Sequence, residues 1–508
     1  MSKLELVDAR LRLILKNIPT ARGRANGGIS AFVEDNRFSL DFKSAIIFLA
    51  VYAKYPDLSD LKKMKCLLGR KNSKDFLKYV FRHQTLNDRK RILVPSNEVL
   101  VDVTRYWHTT EISGIPRVVG NLLTSGPFQN ATLGVWTRRV YAPIKIHESS
   151  GRHLESKGSE KTLYGSNAYV SLRRLYMNHS HAIQKLRAFS SVLVFLNKIR
   201  IHRWLLDLTR INSPSECLII SPKQLVIPEI LDKSNSEIMM VWLQNVGVED
   251  ARALVHDVLP LSHPEYFPKH SVSDFKKFLP LLSALDVLHV GTPILANDLR
   301  QALYEFPGDF KINILPLPVT SKHESSAPSH TPNNTFAFIG GFQKRKGLEK
   351  LVDFFDTFDN EKLDFQVTVV GKVNHFGIGD EGALHRLVSK KPEIFNLAGY
   401  LSDGELFRLI SESTAVLYLS ELEGYGLPVL ESLALGVPVI GIDSPVNRHF
   451  QSFYGGIHLI SPDFHASVLD ILNEISSRGE LWQKLKTSIR FENIPREIDE
   501  WAYEVLKA

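Results

Sequence analysis

Apolar and polar positions divide this chain into three textures. Through residues 1–96 the clusters Ala45–Tyr52 and Phe76–Phe81 alternate with basic stretches, which predicts a mostly helical N-terminal extension. From residue 98 short continuous apolar runs take over. VLVDVT (99–104), CLIIS (217–221), IMMVWL (238–243), ALVHDVL (253–259) and DVLHVG (286–291) read as buried strands, with helical stretches between several of them. SGIPRVVGNLL (113–123) predicts a helix with Pro116 near its first position. Strands alternating with helices point to a parallel sheet covered on both faces. The segment 316–334, rich in Pro and Ser, is the best linker candidate.

Beyond the linker the alternation is cleaner. TFAFIGG (335–341), DFQVTVVG (364–371), IFNLAGY (394–400), TAVLYLS (414–420), VPVIGI (437–442) and GIHLIS (456–461) give about six strands. Leu348, Leu351, Val352, Phe355 and Phe358 form one helical face, and Ser402 to Glu405 has capping-box spacing. The last stretch, 478–508, reads as amphipathic helix. The expected architecture is α/β: two Rossmann-like βαβ domains, 97–325 and 326–508, facing a central cleft. The helical extension 1–96 precedes them, and the final helix is expected to pack back on the N-terminal domain.

Composition narrows the classes. At 508 residues the chain exceeds one ordinary core, and 44% hydrophobic with 23% charged residues suits a globular fold. Two cysteines, Cys66 and Cys217, imply no disulfide framework and a reducing compartment. The start MSKLELVDAR lacks a secretory pattern, and the longest apolar run falls short of the ~20 residues that span a bilayer. A cytoplasmic location is therefore expected. The net charge of +7 suits a phosphorylated ligand, an anionic membrane or nucleic acid. No aromatic-basic module for nucleic acid is present in the sequence.

Chemistry concentrates in SELEGYGLPVLESLALGVPVIG (420–441), where Glu423 and Glu431 have seven residues between them. Pro428 opens a short apolar helix and Gly436 closes it, so the turn carries a helix N-terminus to the carboxyl end of strand Ala415–Ser420. Backbone N–H groups there suit an anion, and a carboxylate in the first helical turn suits a ribose diol. IGGFQKRKG (339–347) sets Arg345 and Lys346 beside a second helix start, where they suit a departing diphosphate. Each motif alone also reads as structure, the first as carboxylates complementing a helix dipole and the second as a solvated basic turn. Their position in one sheet, whose strand ends share a crevice, joins them.

EGYGLPVLE and FIGGFQKRKG together resemble the nucleotide-sugar domain of retaining glycosyltransferase family four, which has the GT-B fold. VDVTRYWHTTEISGIPRVVGNLL (101–123) and VHDVLPLSHPEYFP (255–268) resemble segments of bacterial O-antigen and capsule mannosyltransferases. The resemblance covers about residues 97–508. It implies that Arg345 and Lys346 bind the donor pyrophosphate, that the backbone of Gly424, Tyr425, Gly426 and Leu427 lines phosphate and sugar, and that Glu431 holds the ribose. Gly399–Leu401 would meet the base. Glu423 and His256 would act at the donor sugar as the catalytic pair, and Gly114 and Arg117 would meet the acceptor. GDP-mannose is the first expected donor and a UDP-sugar the second, with a glycan or lipid-linked acceptor, no cofactor and no metal.

The chain departs from the family's pattern at two points. Gly341 stands where many members carry an arginine, and SPVNRHF (444–450) offers Asn447 and Arg448 where many carry a glutamate. A nucleotide-sugar epimerase of the same fold and a non-catalytic scaffold for polysaccharide assembly are the rival readings. Residues 161–210 form a basic insert with nine Lys or Arg against Asp207 alone. Leu186, Phe189, Leu193 and Leu196 give it helical spacing, read as an amphipathic helix on the N-terminal domain or as a peripheral contact with anionic lipid at the inner membrane face.

Overall fold

Parallel strands buried on both faces lack polar alternation, and the fully buried strands Ala415–Tyr418 and Val439–Ile442 follow that rule. The computed structural model describes residues 3–18, 21, 28–70, 75–76, 79, 91–95, 98–108, 114–137, 139–147, 153–156, 216–220, 223–319, 334–340, 344–356, 363–371, 381–463 and 467–507. Two compact units divide the chain. The first comprises residues 1–108, 130–252 and 284–286, and the second 109–129, 253–283 and 287–508. The basic insert 161–210 and Gly341 lie outside the described residues.

The first unit opens with helices Lys3–Asn17, Ile29–Glu34, Leu40–Tyr52 and Leu58–Arg70. Its strands are β1 (Arg91–Leu93), β2 (Val99–Asp102), β3 (Thr132–Thr137), β4 (Val140–His147), β5 (His153–Ser156), β6 (Glu216–Leu218), β7 (Gln224–Ile227) and β8 (Asp250–Val255). Their order is β8-β7-β2-β3-β4-β5, with β1 and β6 forming a separate parallel pair. β2 pairs in parallel with both β7 and β3, whereas β3, β4 and β5 are antiparallel.

One expected strand is a helix. IMMVWL (238–243) lies inside helix Lys233–Asn245, whose cap residue Asp232 accepts from Ser234 N and Asn235 N. Ile238, Met239, Val241 and Trp242 are all buried. A short apolar run cannot by itself distinguish a buried strand from a buried helix, and here the aspartate cap decides.

The second unit holds the C-terminal half of β8 with β9 (Val287–Val290) and β10 (Lys311–Ile314), and a complete six-stranded parallel sheet. The strands of that sheet are β11 (Thr335–Ile339), β12 (Gln366–Val370), β13 (Phe395–Gly399), β14 (Ala415–Tyr418), β15 (Val439–Ile442) and β16 (Ile457–Ile460). They are ordered β13-β12-β11-β14-β15-β16. The order reverses between β11 and β14, and doubly wound sheets bind ligands at the strand ends beside such a point.

Helix Leu348–Asp356 leads away from β11 and is anchored by Phe355. This ring is fully buried, with centroids 4.9 Å from Phe395 and 6.4 Å from Phe365. Burying one such side chain contributes about 1.5–3 kcal/mol, so the switch point rests on a stiff base. The capping box at Ser402 and Glu405 forms as expected. The C-terminal helix Ile498–Leu506 packs on helix Ile115–Thr124, where Gly126 N donates to Asp499 Oδ1 at 2.8 Å.

Candidate functional site

The carboxyl ends of β11 and β14 carry the two motifs. After β14 the chain turns through residues 419–426 into helix Leu427–Ala434, with Pro428 in its first turn. Gly426 precedes the helix at φ +91°, a left-handed conformation in which a side chain would strain the backbone. The turn is packed from below as well. Tyr425 lies over Gly291 and donates from its hydroxyl to Leu317 O at 3.1 Å.

Three donors converge on Glu423 Oε1. Lys346 Nζ is ion-paired with it, Ser420 Oγ donates at 2.5 Å, and Arg345 Nη1 lies 3.4 Å away. The two loops are also stitched by backbone: Glu421 N donates to Arg345 O at 3.0 Å, and Arg345 Nη1 donates to Leu422 O at 3.0 Å. Burial works to raise the Glu423 carboxyl, but the pull of Lys346 and Arg345, with the bonds from Lys346 and Ser420, lowers it from 4.5 to about 2. Burial pushes the Lys346 ammonium down, against the pull of Glu423. Glu423 is thus a fixed anion at neutral pH. Arg345 Nε, also buried, has no partner among the described residues.

Glu431 sits in a different environment. It is 3% exposed and ion-paired through Oε1 with Arg117 Nη2, while Oε2 has no partner among the described residues. Arg117 projects from helix Ile115–Thr124, which Gly114 precedes, and its Nη1 reaches Asp403 Oδ1 at 3.3 Å. Burial pushes the Glu431 carboxyl up, with Arg117 opposing and Asp403 adding to the shift. The buried Tyr418 hydroxyl lies beneath Gly426 and feels the charges of both glutamates.

The structure therefore brings Arg345, Lys346, Glu423, Gly424, Tyr425, Gly426 and Leu427 into one turn cluster. It joins Glu431 to Arg117, and through Asp403 to the segment that contains Gly399 and Leu401. His256 follows β8, and its backbone carbonyl would lie 2.1 Å from a Cβ at Gly424, so the two segments are in van der Waals contact. Sequence reasoning missed Ser420, Tyr418 and Asp403. Ser420 and Tyr418 look like ordinary strand-end residues in the sequence, and Asp403 looks like part of a helix cap.

A second polar group lies in the first unit, at the carboxyl ends of β2 and β7. Asp102 is 3% exposed and accepts from Thr104 N at 3.0 Å. Burial raises its carboxyl to about 7 and likewise raises that of Glu229, which follows β7, to about 7. Among the described residues no group of His, Cys, Asp and Glu is arranged to hold a metal ion, and no helix is long and apolar enough to cross a membrane.

Residues 320–488 match the family model described as Glycosyl transferases group 1. The chain carries a group 1 glycosyltransferase domain. The serotype-specific mannosyltransferase WbdA of Escherichia coli is 29% identical to it over 214 residues, 38% of this chain and 26% of that protein. The O-antigen chain mannosyltransferase B of Escherichia coli is 26% identical over 212 residues, 38% of this chain and 53% of that protein. The chain thus spans about a quarter to a half of the length of these curated relatives. Anabaena HepE, solved in complex with UDP and glucose, superposes with a TM-score of 0.51 at 11% identity, covering 81% of this chain and 99% of that one. The sucrose-phosphate synthase of Thermosynechococcus elongatus superposes at 0.50 with 14% identity, covering 80% and 96%. These likenesses show the fold, which is GT-B, with Rossmann-like α/β domains. The glycosyltransferase domain contains both motifs described above, with Glu423, Glu431, Arg345 and Lys346 all inside the matched residues.

Proposed function

We propose that the protein is a retaining glycosyltransferase that moves a hexose, mannose first, from a nucleoside diphosphate sugar to a growing bacterial polysaccharide or lipid-linked glycan. The observation that carries this reading is the convergence of Lys346, Arg345 and Ser420 on Glu423 at the switch point of a group 1 domain. Mannose is favoured because WbdA and the O-antigen relative are named mannosyltransferases, as is a GDP-mannose-dependent enzyme of Komagataeibacter xylinus, 28% identical over 138 residues, 27% of this chain and 35% of that protein. A UDP-sugar is the second candidate. Residues 326–508 would hold the donor and 97–325 the acceptor, with the protein cytoplasmic and its membrane contact, if present, through 161–210.

In this reading the acceptor oxygen attacks the anomeric carbon on the face from which the diphosphate departs. The sugar–phosphate C–O bond breaks as the glycosidic C–O bond forms, and a diphosphate oxygen takes the acceptor proton. Lys346, Arg345 and the N-terminus of helix Leu427–Ala434 stabilise the charge that develops on the leaving group. Glu423, held ionised beside the sugar, stabilises positive charge at the anomeric centre, and His256 faces the same sugar. Glu431 holds the ribose, the Gly424–Leu427 backbone lines phosphate and sugar, Gly399 and Leu401 meet the base, and Gly114 stands on the acceptor side. The cationic groups perform the role that a divalent ion plays elsewhere, so transfer should persist in EDTA.

The test is a thermal-shift panel of UDP, GDP, ADP and their sugars, since a ligand that binds the folded state raises its melting point with affinity. The preferred donor then enters a transfer assay with Lys346→Ala. A folded Lys346→Ala protein should lose about 10²–10³ in turnover, as for loss of one preorganised charge-stabilising donor. Normal turnover by that variant defeats the site assignment, and donor consumption without acceptor favours the epimerase.

A further inference from the structure

Glu431 presents two unlike oxygens. Oε1 is taken by Arg117, and Oε2, on a residue 3% exposed, has no partner among the described residues. A buried carboxylate oxygen without a donor is costly, and such orphans mark places where a ligand supplies the missing hydrogen bond.

Arg117 itself is closely held. Its side chain is 11% exposed, its second terminal nitrogen lies 3.3 Å from Asp403 Oδ1, and its guanidinium carbon is 5.8 Å from the Phe407 ring centroid. A planar guanidinium gripped on two edges and one face has little freedom to swing out toward a third partner. Its position is also far from accidental in the fold, because the arginine comes from helix Ile115–Thr124 and the two carboxylates from helices Leu427–Ala434 and Asp403–Glu412.

We infer that Arg117 is a positioning residue of the donor site: it pins Glu431 through Oε1 and keeps it ionised, so that Oε2 stands ready to accept a ribose hydroxyl of a nucleoside diphosphate. This role goes beyond the acceptor contact that the family resemblance implies for Arg117, and it rests on the donor-site reading of Glu431 given above. Among the described residues three groups face the Glu431 carboxyl: Arg117 from its helix, Asp403 from the capped helix, and the Tyr418 hydroxyl from β14. Arg117 alone among them favours the ionised form. Without its charge, burial and Asp403 act unopposed and both favour the protonated form of Glu431.

The experiment measures GDP and UDP affinity from pH 6 to 9 by calorimetry for the intact chain and for Arg117→Gln, Arg117→Lys, Asp403→Asn and Glu431→Gln. The wild-type protein should bind with a flat profile. Arg117→Gln should bind about tenfold or more weakly at pH 6, the loss expected for a charge-assisted hydrogen bond, and recover as pH rises and Glu431 ionises. Arg117→Lys should restore the flat profile. Asp403→Asn, which frees one edge of the guanidinium but leaves its charge, should stay flat, and Glu431→Gln should be weak at every pH. A flat profile for Arg117→Gln, at wild-type or uniformly reduced affinity, with Glu431→Gln weak, overturns the inference and leaves the donor site standing. Wild-type affinity in Glu431→Gln means instead that the donor-site reading has failed. Should Arg117→Gln not fold, a pH-dependent loss in Arg117→Lys would equally refute a role carried by charge.

Discussion

The ion pair between Lys346 and Glu423 can be tested apart from any ligand. Lowering the Glu423 carboxyl from 4.5 to about 2, at ~1.36 kcal/mol per pH unit, stabilises the fold by roughly 3 kcal/mol when the group is ionised, and the burial that pushes the Lys346 ammonium down offsets part of it. Both side chains are mostly shielded, at 16% and 13% exposure, so solvent screening removes little of this. The sign follows from a depressed pKa. The contribution is complete above pH ~4.5 and is lost as pH falls toward ~2. Lys346 is the largest favourable cause, ahead of Arg345, so Lys346→Met should cost about 2 kcal/mol at pH 7 while Arg345 and Ser420 retain the rest. Glu423→Gln should cost a similar amount, because it strands a buried ammonium beside Arg345. The double variant replaces the pair with neutral groups and should cost far less than the sum, a coupling of about 2 kcal/mol. Native-state hydrogen exchange of peptides from 415–434 reads this opening energy directly, without requiring the whole chain to unfold in one step. Additive single variants, with coupling below about 0.5 kcal/mol, would refute the electrostatic account.

Two further outcomes follow from burial and close packing. Asp102 has a raised carboxyl, so its stabilising contribution is present below pH ~4 and lost as pH rises through about 7; Asp102→Asn should exceed wild type by about 1–2 kcal/mol at pH 5 and by up to ~4 kcal/mol at pH 8. Thermal melts at the two pH values check this, and a difference independent of pH would sink it. Gly424→Ala places a Cβ 2.1 Å from His256 O and 2.4 Å from Asp257 Cβ, mostly backbone that no rotamer change can relieve. It should cost about 1–3 kcal/mol by overpacking and displace the turn, so an unchanged melting point contradicts the close approach.

How much of this was legible in the sequence differs by element. All six strands of the second sheet were visible, because strands buried on both faces form short apolar runs between turn residues. The same rule misled at 238–243, where the run belongs to a buried helix. It was silent at β3, β4 and β5, whose antiparallel pairing joins segments without a repeating helix between them. At the site, Arg345, Lys346 and Glu423 could be placed together in advance because each lies in a loop that follows a strand of the same sheet. The link from Arg117 to Glu431 spans 314 positions and is invisible to any local pattern. Ser420 went unnoticed because a serine ending a strand has many uses, and only the 2.5 Å approach to Glu423 identifies this one.

The two glutamates of the turn look equivalent in sequence, yet the fold moves them in opposite directions. Burial raises both. Glu423 meets two cations and a hydroxyl and ends well below its ordinary range, whereas Glu431 has Arg117 on one side and Asp403 behind it and ends above. The difference follows from where each stands. Glu423 is still in the loop, within reach of the basic turn after β11. Glu431 is one turn into the helix, beyond that reach and dependent on an arginine brought from helix Ile115–Thr124. A carboxylate held at about 2 keeps its charge through any physiological pH and suits a permanent electrostatic role beside a developing cation. A carboxylate balanced between burial and a single guanidinium responds to whatever reaches its open oxygen, which suits recognition of a neutral hydroxyl. In the proposed function, one motif with seven residues between its acids would thus divide the work of charge stabilisation and binding between two copies of the same side chain.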